Sequence, residues 1–377
     1  MNKLLFLFVY LICHFLYGQV NNFKEKFDLP ETVNETSGLL FFDGKIITHN
    51  DSGGQASLYE LDSLTGNLTR TVVINNATNI DWEDITEDEN HIYIADIGNN
   101  NGNRTDLAIY KILKSEFKNN TAVNSEIITF SYEDQTNFSS QPNTSNFDAE
   151  AIVAYKNHLL IFTKNWQDFK TNVYKIPIEQ GNHTAIKVSS ANIEGLITGS
   201  VFANNRFFLT GYSSTLIPFL IFIAPNSTLD DAIFSSGFDK ISLENNLVQG
   251  SQVEAITNVN ETGKYYISRE KFTTTIAGTS YNFNQKLYEF KDNTQSTLTL
   301  NDDFLKFVKI TNPIKNNLRI ITKKGIESIV IYNSLSEVVA ANFGVNKINT
   351  SKLSKGIYYA KIVFKDALTM FKKIIKL

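Results

Sequence analysis

Apolar residues along this chain fall in short runs separated by polar turns, and one run type recurs. An aromatic flanked by aliphatics appears in SLYELD from Ser57, AIYKIL from Ala108, NVYKIP from Asn172, LIFIAP from Leu220 and KLYEFK from Lys286. Before each lies a second apolar run: KIITHN, HIYIAD, HLLIFTK, RFFLTGY and KYYISRE. A third precedes that one and opens on an acid at Glu35, Glu83, Glu150 and Glu254, with Thr198 in the equivalent place of the fourth unit. A fourth follows the aromatic run in TRTVVIN, SEIITFSY, AIKVSS and FDKISL. Runs of this length, rich in β-branched and aromatic residues, predict strands.

The opening positions 35, 83, 150, 198 and 254 recur about every 50 residues, and the widest gap holds the polar loop EDQTNFSSQPNTSN. Four strands per repeat at this spacing predict an all-β fold, a β-propeller with five repeats counted, or six blades if two units are merged in that count. The fifth unit lacks a fourth strand, whereas FKEKFDLP, from Phe23 to Pro30, is a spare one at the other end. It is expected to complete the last blade and close the ring, which also hides sheet edges. A two-sheet sandwich is the alternative architecture, but it does not require a repeated four-strand unit.

Length and composition agree with this division. The chain of 377 residues is too long for one ordinary core. Its first residues, MNKLLFLFVYLICHFLYGQ, read as a signal peptide over residues 1–18, with Lys3 as the charged region and Leu4 to Leu16 as the apolar one. A membrane anchor is the alternative, disfavoured by the short run and the lack of a stop-transfer charge. Nothing later provides 18 apolar residues in a row, so no integral membrane protein is expected. Cys13 is the single cysteine and lies in that leader, after Ile12 rather than a small residue; this excludes a disulfide framework and argues against a lipid anchor.

Charge divides the remainder. Residues 19–301 carry 20 basic and 34 acidic side chains, whereas residues 302–377 carry 14 and 5. The acidic part, taken as a propeller over residues 19–298, is a poor partner for nucleic acid. In a propeller the starts of the first strands and the ends of the second strands share one face. Glu35, Glu83, Glu150 and Glu254 are therefore expected at one channel mouth, with Asp81 and Asp148 on the same rim. Asn50, Asp51, Asp96, Lys164, Tyr212, Arg269 and Glu270 should ring them.

Crowded carboxylates need a cation, a basic partner or raised pKa values. Ca²⁺ suits them, because it takes oxygen ligands in flexible number. Zinc does not, since His49, His91, His158 and His183 show no paired spacing. Trp82 and Trp166 are candidates for stacking on a sugar or for packing between blades. The acids could equally accept backbone N–H groups of the next blade and only hold the ring together. Three functions stay open: a small-molecule or glycan-binding module, a metal-assisted hydrolase of an ester, lactone or phosphoester, and a glycosidase with paired carboxylates.

The pattern ETSGLL…HNDSGG…LYELD…DWEDIT…YIADIGNN resembles secreted propellers of the SdiA-regulated and phytase-like esterase type, over roughly Phe23 to Asp292. More loosely, the acid opening the first strand resembles the calcium-dependent lactonase propellers. That likeness implies a channel-mouth Glu holding Ca²⁺, matched by position at Glu35 with Asn50 or Asp96 as loose companions; the histidine base of that group is not recognisable here. The end of the chain, from FVKITNPIKNNLRI through INTSKLSKGIYYAKI to the Lys-rich terminus, resembles the type IX secretion C-terminal sorting domain of Bacteroidetes, over residues 302–377. ITNP stands where the family has an aromatic-Pro-Asn-Pro, and Ser336-Glu337 where Gly-Lys is commoner. Read alone, the segment predicts a small antiparallel β-sandwich. The resemblance implies passage through the periplasm, recognition by the type IX secretion machinery, and a final place outside the cell or on its surface.

Overall fold

The computed structural model describes residues 20–224, 232–247, 250–259, 263–276, 279–292, 308–323, 325–333, 338–365 and 369–377. The expected signal peptide lies outside them. Contacts divide the chain into two compact units after Asp292. Both are mostly β.

In the first unit the strands form five antiparallel sheets of four. The innermost strands are Thr36–Phe42, Trp82–Glu87, Ala149–Tyr155, Leu196–Ala203 and Val253–Val259. Each pairs with the next strand in sequence. These five neighbour one another in cyclic order, the fifth beside the first, which gives a propeller-like ring. Strand Val20–Asp28 pairs antiparallel with Lys286–Asp292 and becomes the outer strand of the fifth sheet. Between the sheets lie clusters of buried aliphatic and aromatic side chains; Trp82 packs with Leu40, Ile47 and Ile94, for example.

Three features were not legible in the repeat. Gly181–Asn192 pairs parallel with Glu126–Tyr132 and fuses the second and third sheets into one of eight strands. Ala122–Val123 adds a parallel fifth strand to the first sheet. A hairpin, Phe272–Ile276 with Thr279–Phe283, is inserted into the fifth.

The inner strands share one irregularity. Register slips at Thr36/Leu39, Trp82/Asp84, Ala149/Ala151, Ile197/Gly199 and Val253/Ala255. A bulge of this kind leaves a residue unpaired and re-aims its side chain. The residues skipped include Glu83, Glu150, Thr198 and Glu254, and in the first sheet Ser37. The hydroxyls among them reach the next sheet: Ser37 Oγ donates to Glu83 O at 2.5 Å and Thr198 Oγ1 to Val253 O at 2.5 Å.

One residue further along, Asp84 is completely buried. Its Oδ2 accepts Ile152 N at 2.9 Å and both Ser200 N and Ser200 Oγ at 3.3 Å, while Oδ1 accepts Ile85 N at 2.8 Å. One carboxyl group thus ties the second, third and fourth sheets together at their inner strands. Burial raises its pKa well above the carboxylate range, against the pull of these donors.

In the second unit, one sheet holds Lys309–Ile310, Asn317–Ile321 and Lys347–Asn349, and another holds Val338–Phe343, Ile326–Tyr332, Gly356–Phe364 and Thr369–Lys376. Leu318, Ile320 and Ile348 of the first share a cluster with Ile329, Ile331, Ala360 and Ile362 of the second. Asn312 explains its motif: its Nδ2 donates to Lys373 O and its Oδ1 accepts Ile375 N, both at 2.9 Å, which fastens this segment to the last strand.

Asp84→Ala should lower unfolding stability by about 2–4 kcal/mol, because it strands buried N–H donors of two neighbouring sheets. Urea denaturation at constant m-value measures this.

Candidate functional site

A cavity of about 210 Å³ opens where the inner strands begin. Glu83, Glu150 and Glu254 line it from the bulges, with Ser37 in the first sheet's equivalent position. Asp51, Lys164, Tyr212 and Glu270 line it from just beyond, or at the end of, the second strands, and Trp166 from the loop after Lys164. Asn100, Asn143 and Gln252 complete the wall. Five carboxyl groups therefore face one space with a single lysine.

Lys164 is buried and bonds Glu150 at 2.8 Å, with its Nζ 5.1 Å from the Trp166 ring centre and 5.5 Å from that of Tyr212. Glu150 and then other anions hold its pKa above the usual lysine range despite burial. Trp166 Nε1 in turn donates to Asp148 Oδ2 at 2.7 Å, and Asn99 N to Asp148 Oδ1 at 2.6 Å.

Two carboxylate triads share Glu83. Asp51, Asp81 and Glu83 place one oxygen each within 4.8 Å of one another, and so do Glu83, Asp148 and Glu150. Gly98 backs onto them; a Cβ there would collide with Glu83 Oε1 and Asp81 Oδ2. Burial, then the charges of Glu150, Asp81 and Glu270, pushes Asp51 up to about 8. Burial pushes Glu150 to about 7 against Lys164, and Glu270 to about 7. Glu83 and Glu254 rise well above the carboxylate range, burial again leading.

The other residues expected at the mouth are placed differently. Glu35 is exposed and precedes the first inner strand; Ser37 occupies the register position assigned to it. Aligning the first repeat on its acid misplaced it, since Glu35 stands two residues before the position that Glu83 fills in its own sheet. Asn50 donates its side-chain amide to Thr32 O. Asp96 is buried behind the rim, paired with Arg104 at 2.9 Å and accepting Asp81 N at 3.1 Å. Arg269 packs against Phe272, Phe283 and Tyr288 and donates to Asn284 O at 2.7 Å. Trp82 is fully buried against His49 and Tyr110, its Nε1 donating to Thr78 O at 3.0 Å, so of the two tryptophans only Trp166 faces the cavity.

Sequence reasoning missed Asp84, Arg104 and Asn143. Asp84 is hidden beside Glu83 in the same acidic run. Asn143 comes from the long polar loop: Asn143 N bonds Asn100 O at 2.9 Å and Gln141 N bonds Asn101 O at 2.7 Å, folding that loop onto the mouth.

A second cavity, of about 450 Å³, lies where the inner strands end, lined by Leu40, Phe41, Val201, Phe202, Asn204 and Asn258 among others. The two cavities are at opposite ends of the same strands and differ in kind: the first gathers five carboxyl groups, whereas the second mixes aliphatic and aromatic side chains with amides, hydroxyls, Glu87 and Asp88.

Residues 311–377 match the family described as "Secretion system C-terminal sorting domain". No curated protein matches the chain. Among solved structures, the extracellular domain of a putative one-component system from B. thetaiotaomicron is similar at 12% identity and a TM-score of 0.32; the alignment covers 91% of this chain and 57% of that one, so this chain spans less than two thirds of its length. Apo AztD from Citrobacter koseri is similar at 10% identity and a TM-score of 0.31, over 90% and 86% of the two chains. A putative oxidoreductase (glucose dehydrogenase) from Thermus thermophilus gives 7% and 0.38, over 72% and 100%. Likenesses this distant carry no argument about chemistry. The sorting tail bears on location instead: this β-rich, propeller-like chain is exported by the type IX secretion system to the cell surface or beyond. Among the described residues no helix is long and apolar enough to cross a membrane.

In chelator, the protein should lose stability as pH rises from about 5 to 8. Carboxyls whose folded pKa is raised stabilise below their unfolded values, 3.8 and 4.5, and lose that contribution through about 7 to 8. Melting curves across this range, repeated on Asp51→Asn with Glu150→Gln, should show a flatter dependence in the variant.

Proposed function

We propose that the exported unit is a five-bladed propeller, followed by a small sandwich, and that its acidic mouth is a calcium-dependent binding site for a small molecule or glycan. The observation that carries this reading is the pair of carboxylate triads sharing Glu83. Oxygen-only donors in flexible number suit Ca²⁺. The Asp51–Asp81–Glu83 triad is favoured for the ion, because Asp148 already accepts two donors and Glu150 already holds Lys164. Gly98 leaves room for these oxygens to converge. If the acids only held the ring, they would be satisfied by backbone amides. Asp84, Asp96 and Asp148 are of that kind, whereas Asp51, Glu83, Glu254 and Glu270 face the cavity. Trp166 and Tyr212 line the same space beside Lys164, where an organic ligand would meet apolar surface as well as charge. On this reading the type IX machinery is the partner of the tail.

A second reading is hydrolysis of an ester, lactone, phosphoester or glycoside. It draws on Glu270, whose pKa near 7 matches what a general acid needs at neutral pH. It differs from the first in requiring turnover.

Ca²⁺ at one hundred times its Kd should stabilise the purified protein by about 2.7 kcal/mol. Calorimetry and melting curves would read this, and Glu83→Gln should abolish it. The absence of any shift up to millimolar Ca²⁺ overturns the metal reading. Turnover of an ester, lactone, phosphoester or glycoside panel that Glu270→Gln removes would favour the second.

A further inference from the structure

The tail unit carries an apolar face that its own core does not use. A sheet with one face on a core ordinarily shows polar residues on the other. The three-stranded sheet follows that rule over most of its length: Leu318 and Ile320 enter the core, while Arg319 stands opposite Lys347 and Asn317 opposite Asn349, and the exposed Ile321 at the strand end faces Lys309. The four-stranded sheet breaks it. Ile329, Ile331, Ala360 and Ile362 are buried on one side. On the other, a row in register across all four strands reads Val338, Tyr332, Tyr359 and Lys373, and Ile357 stands opposite Ile375 beside it.

These side chains are open. Val338 is 59% exposed, Ile357 48%, and Phe343 on the edge strand 71%. Of the 17 large apolar side chains exposed among the described residues, six lie on the strands of this one sheet: Val338, Val339, Phe343, Ile357, Tyr359 and Ile375. Contiguous exposed apolar surface of this kind marks an interaction site. The unit is also strongly basic, with 14 basic residues against 5 acidic over 302–377.

We infer that this outer face of the four-stranded sheet is where the tail docks on the outer-membrane export machinery, against an apolar patch rimmed by acidic groups. The match of residues 311–377 to a sorting domain makes that machinery the partner. The contrast between the two sheets selects the face. The central aromatic and aliphatic residues supply the desolvated contact, and lysines such as Lys373 its charged rim.

The test uses the full chain in a bacterium with a working type IX system. Ile357→Glu with Tyr359→Glu should reduce protein on the surface and in the medium at least about tenfold and leave it in the periplasm. Arg319→Glu with Lys347→Glu, on the three-stranded sheet, should export within about twofold of the parent. Protease resistance of each purified full chain checks that the tail stays folded; if the Glu pair unfolds it, Ile357→Thr with Tyr359→Ser replaces it. Normal export of a folded face variant overturns the inference, as does equal loss from the control pair. It is also overturned if the purified protein dimerises through this face and the face variant becomes monomeric with export intact.

Discussion

The pairing of Val20–Asp28 with Lys286–Asp292 is the contact on which the first unit depends. It joins strands more than 250 residues apart in the chain, so its loop-closure entropy must be repaid by everything the ring then buries. Without it the fifth sheet has one strand fewer and a bare edge, and the first and fifth inner strands have no covalent reason to meet. Cyclic order of the inner strands gives the unit an axis, and the axis is what creates a mouth.

At that axis the backbone does the aiming. A bulge at the start of each inner strand turns one side chain out of the ladder, and Glu83, Glu150 and Glu254 reach a common space for that reason. The sheets are held in position by neighbouring residues of the same strands, with Asp84 accepting from two other sheets and Ser37 and Thr198 donating to the next. Structural and chemical duties thus fall on adjacent positions: Asp84 is consumed by the fold, and Glu83 is left facing the cavity. The resulting space is electrostatically unbalanced, since its one lysine is already paired with Glu150. Burial and mutual repulsion then favour the protonated carboxyl or a bound cation, and the two compete.

The tail unit solves a different problem. Its core is made by the inward rows of two small sheets, and Asn312 fastens the last strand to the first segment. The apolar outward residues of the four-stranded sheet lie outside that core cluster. The tail combines a basic balance of charge with exposed apolar side chains on one sheet, a combination suited to being recognised by another protein.

The four-strand repeat, the spare N-terminal strand, the acids that open three of the inner strands and the sorting tail were all legible in the sequence. Each is a local pattern of strand periodicity, turn residues or motif, readable without knowing what lies beside it. The repeat also put Asp51, Lys164, Tyr212 and Glu270 at or just after the ends of the second strands, where they line the cavity. Only the tertiary structure decided the rest. The first repeat carries an acid two residues before the aimed position and a serine at it, which the repeat could not reveal, so Glu35 was placed where Ser37 stands. Whether an acid is spent on backbone amides depends on the neighbouring sheet, which separates Asp84 and Asp96 from Glu83. Whether a tryptophan lies between sheets or on the cavity wall depends on which side of the strand it emerges, which separates Trp82 from Trp166. The parallel edge pairing of Gly181–Asn192 with Glu126–Tyr132 had no local signal at all, since it joins two repeats through hydrogen bonds that any strand edge can make.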